Sequence, residues 1–291
     1  MREMISPFRI TDGRKFRLAD HDPDDTGPLG SKDEAAGLLA RGLESLREQQ
    51  EKLFAQGTWA ILLIFQAMDA AGKDSTIKHV MSGVDPQGCE VSAFKAPSAE
   101  EIAHDYLWRT TLRLPQRGHI GVFNRSYYEE VLIVRVHPEI LRAQRLPPAV
   151  VSRRLWNERF EDIACFERHL SRNGVAVLKF FLHVSKEEQR KRFLERMDTP
   201  AKNWKFSAGD VRERQRWRQY MAAYEDMIRH TATPAAPWFV VPADHKWFTR
   251  LVVSAAIVDA MKRLGLAFPT IDREKRKELN AVESALRRKG A

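Results

Sequence analysis

TWAILLIFQAMDAAGKDST, running from Thr58 to Thr76, decides the fold. Trp59–Phe65 is an unbroken apolar run rich in branched residues, as expected of a strand buried on both faces. Small residues follow, then the pair Gly72-Lys73 and hydroxyls at Ser75 and Thr76. A strand, a tight loop and a helix start, in that order, aim backbone N–H groups and a positive helix end at an anion. The match to the Walker A phosphate-loop pattern G-x-x-x-x-G-K-[ST] departs in two places. Ala67 stands where the first glycine belongs, and Asp74 stands where a hydroxyl belongs. An acid, Asp69, also sits inside the loop. A carboxylate facing phosphates is repulsive unless a divalent cation lies between them. The pattern therefore assigns Asp69 to Mg²⁺, with Mn²⁺ as a substitute, in the role usually taken by a loop hydroxyl. Ala70, Ala71, Gly72, Lys73, Asp74 and Ser75 form the expected phosphate cradle. The plainer alternative is a strand–helix turn with a solvated lysine.

The remaining totals suit this reading without selecting it. With 291 residues, 43% hydrophobic and 30% charged, the chain has enough apolar material for a sizeable core. A net charge of +9 points to a polyanionic partner, and nucleic acid, anionic lipid and polyphosphate fit it equally. Two cysteines, Cys89 and Cys165, without C-x-x-C spacing argue against a disulfide framework or a thiolate metal site. The nine histidines show no H-x-x-x-H spacing. No apolar leader and no run of membrane-spanning length is visible, so a cytoplasmic protein without a membrane partner is expected.

Outward from the loop, strand and helix patterns alternate. Residues 1–34 read as a turn-rich arm, residues 35–268 as the main domain and residues 269–291 as a charged tail. Lys32–Phe54 reads as an amphipathic helix. Strands are expected at Cys89–Phe94, His119–Phe123, Val175–Val184 and Trp238–Val241. Helices are expected from Ser98 to about Leu114, over Tyr127–Val136, Pro147–Arg172, Ser185–Met197, Val211–His230 and Lys246–Leu266. Ser98 with Glu101, and Ser185 with Glu188, have capping-box spacing. The alternation predicts a three-layer α/β fold, a five-stranded parallel sheet with helices on both faces. Ligands of such sheets bind beyond the strand C-termini. The polar residues gather there: Asp69–Lys73, Lys95, Asn124-Arg125 and Asp244–Lys246.

Phosphoryl transfer needs metal, positive charge and in-line positioning more than covalent help. Lys73 and Arg125 supply charge. Asn124 occupies a strand end where an acid would give a second metal anchor, so either Asp69 dominates or Glu129 or Glu130 assists. From Lys186 to Arg218 there are 11 basic and 6 acidic residues around the turn-rich segment Asp198–Asp210. Arg192, Arg196, Lys202 and Lys205 flank that segment as in a closing lid, whereas Arg214, Arg216 and Arg218 read as a solvated face.

Six motifs in order, AMDAAGKDST, FKAPSAEE, HDYLWR, GVFNRSYYEEVLIVRVHPE, DTPAKNWKFS and VPADHKW, resemble the polyphosphate kinase 2 family over Phe16–Leu266. The FNRSYYEE form at Phe123–Glu130 is similar to the class III branch. The resemblance implies a P-loop kinase fold with a helical lid, Mg²⁺ dependence, and phosphorylation of AMP and ADP from inorganic polyphosphate. It implies that Asp69 and Lys73 handle metal and phosphate and that Asn124 and Arg125 form the second catalytic segment. It further implies that Arg192, Arg196 and Lys202 grip phosphates and that Lys95 and Arg109 line the phosphate path. A dimer or tetramer is expected, with guanine nucleotides as further acceptors. The alternatives are an ATP-dependent nucleotide kinase of thymidylate-kinase type and a non-catalytic polyanion-binding module. No aromatic–basic platform for nucleic acid stands out.

Overall fold

A computed structural model of the chain describes residues 2–288, save Phe206 and the side chains of Lys202, Lys205 and Ala208. Six strands form one sheet: β1 (Arg9–Ile10), β2 (Ala60–Gln66), β3 (Cys89–Ala93), β4 (Ile120–Asn124), β5 (Val175–His183) and β6 (Trp238–Pro242), in the order β1-β6-β5-β2-β4-β3. The strand β2 lies mid-sheet and all seven of its residues are buried, as its unbroken apolar run requires. It pairs in parallel with β4 (Phe65 opposite Asn124) and with β5 (Phe65 opposite Phe180). Phe65, Phe180 and Phe239 lie side by side across three strands, with ring centroids 5.0 and 5.4 Å apart.

The expected sheet of five parallel strands is thus corrected to six, with an antiparallel edge. The arm does join the sheet: Arg9 and Ile10 pair with Phe239 and Trp238. Ile5, Phe8, Phe16 and Leu18 of the arm enter the core. A Cβ on Gly13 would lie 2.4 Å from the Arg229 carbonyl oxygen, so only glycine lets the arm run this close. Apolar burial holds the arm down, and a two-residue strand is too short to show a period.

The helices that matter here are α1 (Lys32–Gln56), α2 (Lys73–Val80), α3 (Leu155–Arg172), α4 (Lys186–Asp198), α5 (Ala208–Gln215), α6 (Trp217–Thr231), α7 (Lys246–Arg263) and α8 (Arg273–Arg288). Helices α1 and α2 pack on α7, and α3 packs on α6, so the sheet is sandwiched in a three-layer fold. No helix among the described residues is long and apolar enough to cross a membrane.

Several expected helices are broken. The stretch from Pro147 gives only a 3₁₀ turn at Pro148–Val150, with proline in its first turn as tolerated there, before α3 starts at Leu155. Val151, in the gap before α3, is exposed. The helix after Ser98 stops at Ala103 and restarts at Trp108; its capping box is present, and Asp105 accepts from the Leu107 N–H at the restart. Tyr127–Val136 is a 3₁₀ segment, Tyr127–Val131, followed by one short helix, Ile133–Val136. The stretch Val211–His230 breaks at Arg216, separating α5 from α6. The Ser185 hydroxyl does cap α4, but Glu188 turns to Arg192 and the Ser185 N–H donates to Asp244 instead.

Candidate active site

The C-terminal ends of β2, β3 and β4 open into one cavity of about 740 Å³ roofed by α4 and α5. That volume lies within the range of about 300–1,000 Å³ typical of small-molecule sites. Its lining brings together Asp69, Ala70, Gly72, Lys73, Asp74, Ser75, Lys95, Asn124, Arg125, Arg192 and Arg196 from the expected set. Six cationic side chains and four carboxylates face it, so an anionic ligand is favoured.

The loop is wound as the glycine requires. Gly72 has φ +105° and caps α2, with the Thr76 N–H donating to its carbonyl. Ala70 and Arg125 also hold left-handed backbone, at φ 61° and 65°. Each costs a non-glycine residue about 1–2 kcal/mol. Both lie on the cavity wall, where such strain is characteristic of function. Lys73 is buried and donates to the Ala67 carbonyl at 2.6 Å. Burial pushes its ammonium below the usual range, while Asp69 pulls it back up.

Arg125 meets Asp69 at 3.3 Å. Burial opposes its charge, but Glu129 and Asp69 outweigh burial and raise its pKa. Burial likewise pushes the Glu129 carboxyl up, against Arg125 and Lys73. Glu129 lies beyond the cavity lining, and its negative charge favours the charged form of Arg125. Glu130 turns away altogether, paired with Arg159 at 3.1 Å and accepting from Gln144. Behind this segment Tyr127 and Tyr128 both donate to Glu167, whose carboxylate meets the buried Lys179 at 2.5 Å.

Two expected phosphate contacts have other employment. All the guanidinium edges of Arg192 are engaged: it donates to Glu188 and to the carbonyls of Ala70, Ala71, Ala243 and Asp244, at 2.6 to 3.1 Å. It binds the loop, the end of β6 and the lid helix to one another. Arg109 stands behind Lys95, donating to its carbonyl at 2.8 Å and lying over the Phe94 ring, so it supports the cavity wall from outside. The side chains of Lys202 and Lys205 lie outside the described residues. Local spacing missed Asp210, which faces the cavity from α5 and lies 3.9 Å from Arg196 on α4. Burial and the nearby Asp69 push its carboxyl up. Gln189, also missed, donates to the Asp69 carbonyl at 2.9 Å. Neither has a motif signal; each is recognised only once α4 and α5 are folded over the loop.

Mg²⁺ is usually held by one or two carboxylates plus substrate phosphates, not by a full protein cage. Asp69 on the cavity wall fits that demand. Among the described residues there is no group of three or more His, Cys, Asp or Glu side chains arranged for a metal.

The family model for polyphosphate kinase 2 matches residues 30–267. The chain belongs to the polyphosphate kinase 2 family. A relative from Rhodopseudomonas palustris, named ADP-polyphosphate phosphotransferase, is 50% identical over 98% of this chain and 99% of its own. One from Meiothermus ruber, named AMP/ADP-polyphosphate phosphotransferase, is 42% identical over 91% of this chain and 96% of its own. The crystal structure of polyphosphate kinase 2 from Arthrobacter aurescens TC1 superimposes with a TM-score of 0.85 at 41% identity, covering 94% of this chain and 95% of that one. Membership in the polyphosphate kinase 2 family accords with the cavity: a phosphate loop, a cationic wall and a lid.

Proposed function

We propose that the chain is a polyphosphate-dependent nucleotide kinase. It moves the terminal phosphoryl group of inorganic polyphosphate to AMP and to ADP, giving ADP and ATP. One observation carries this reading: Lys73, Asp69 and Arg125 border a single cationic cavity at the strand ends. In the transfer, a terminal phosphate oxygen of the nucleotide bonds to the end phosphorus of polyphosphate. The bridging P–O bond breaks, and polyphosphate leaves one unit shorter with the bonding electrons. Lys73 and Arg125 face the negative oxygens of the transferring group, and the loop N–H groups hold the neighbouring phosphate. Arg196 and the lid exclude water. When bound, Mg²⁺ neutralises phosphate charge, and Asp69 is the residue that would hold it. The R. palustris name supports ADP as acceptor and the M. ruber name supports both nucleotides.

The proposal includes cytoplasmic action and a homo-oligomer. Among the described residues α8 buries none and exposes Leu279, Val282 and Leu286, an apolar surface available to a second copy. Light scattering checks the oligomer.

The test of function is one assay with purified protein, Mg²⁺, long-chain polyphosphate and either AMP or ADP. ADP and then ATP from AMP supports the reading. Turnover with ATP and a nucleoside monophosphate, not replaceable by polyphosphate, favours the ATP-dependent alternative. Lys73→Ala is expected to lower kcat by at least about 10²-fold, the scale of one lost charge-stabilising group. Asp69→Asn with Mg²⁺-dependent activity intact removes the metal assignment.

A further inference from the structure

A second cleft, of about 620 Å³, adjoins the catalytic cavity across the lid. Both are built on the helices α4 and α5. Helix α5 gives Asp210 to the catalytic cavity and Arg212 to the second cleft. Residues two apart on a helix point to opposite sides, about 200° round. Helix α4 gives Arg192 and Arg196 to the first and its opening residue, Lys186, to the second.

The second cleft is cationic and its anions are spent. Lys186, Arg212, Arg216 and Arg218 border it. Its two carboxylates, Glu139 and Glu213, both close on His137, at 2.9 and 2.7 Å. Arg216 donates to the Val136 carbonyl at 3.3 Å. Lys186, Arg212 and Arg218 make no ion pair among the described residues. Like charges gathered in a concavity repel one another and raise the local concentration of anions.

We propose that this cleft holds the distal phosphates of a polyphosphate chain whose end lies in the catalytic cavity. The inference rests on the kinase reading above. A nucleotide carries its charge at one end, and that end belongs beside Lys73. A polymer charged at every unit runs on past the cavity. To reach the second cleft it passes round one helix, whose diameter is about 10–12 Å. Holding one chain at two places raises affinity for long chains without any new contact at the reacting end.

The experiment compares wild type with R212Q/R218Q, whose exposed side chains lie outside the catalytic cavity. It measures KM for long-chain polyphosphate, KM for ADP, and tetrapolyphosphate affinity by calorimetry. The long-chain KM is expected to rise about three- to tenfold, as for two lost surface charge contacts. KM for ADP and tetrapolyphosphate affinity stay at wild-type values, and R212K/R218K recovers the long-chain KM. An unchanged long-chain KM, or an equal loss for tetrapolyphosphate, overturns the distal site. A wild-type protein that turns over no polyphosphate overturns the kinase reading itself.

Discussion

The Asn124 side chain donates from Nδ2 to Asp74 Oδ1 at 2.7 Å. Two departures from the expected site, Asp74 in the loop and Asn124 at the neighbouring strand end, are therefore in contact. Asp74 lies in the first turn of α2, where the helix N-terminus favours a carboxylate. Asn124 closes β4, where a second acid would be expected. An amide at 124 is the partner that a carboxylate at 74 requires.

Asn124→Asp sets two carboxylates at hydrogen-bonding distance, which disfavours ionisation of one of them. We expect kcat/KM to fall about tenfold and the AMP-to-ADP rate ratio to shift. The exchange D74N/N124D restores the donor–acceptor pair and is expected to recover much of the loss, with a coupling of about 1–2 kcal/mol. Steady-state kinetics on the three variants decides it; a double variant as impaired as N124D dissolves the pairing.

Arg192 ties four backbone carbonyls together. Lysine keeps the charge and loses the fork. Arg192→Lys is expected to cost about 2 kcal/mol and to lower Tm by roughly 4–8 °C. A residue that merely gripped phosphate by charge would leave Tm alone in the lysine variant, so calorimetry distinguishes the two roles.

Lys179 and Glu167 form a buried pair with exposures of 0% and 1%. Removing one partner strands the other in a dry core. Lys179→Met is expected to destabilise the protein by about 3–5 kcal/mol, and E167Q/K179M by clearly less. Denaturant unfolding checks the order. Equal costs would show that the volume of Lys179, not its charge, holds Tyr128 in place.

His137 joins helix α5 to the body through Glu213, with the neighbouring Glu139 on its other ring nitrogen, Arg216 nearby and Tyr220 donating to Glu213. Burial opposes its charge, but the two carboxylate hydrogen bonds prevail and raise its pKa above the ordinary 6.5. A raised folded pKa means that the contribution is complete below pH 6.5 and fades as pH climbs through the folded value. The Tm difference between wild type and His137→Gln is therefore expected to shrink as pH rises above 6.5. A difference constant with pH removes the imidazolium latch.

The sequence by itself determined the central strand, the phosphate loop and most of the residues that face the cavity. Each is a local matter: apolar run length at Ala60–Gln66, backbone freedom at Gly72, and side chains placed just past strand ends. The six motifs carried the family. Tertiary structure decided the rest, because it depends on contacts between residues far apart in the chain. Arg9 and Ile10 became a strand only against β6. Arg216 became a helix break without any proline or glycine to announce it. Arg192 and Arg109 carry the charge expected of phosphate ligands, yet nearby carbonyls claim their donors. Asn124 and Asp74 are fifty residues apart, and only the parallel pairing of β2 with β4 brings them into contact. Residue type set what each side chain could do; packing set which partner it met.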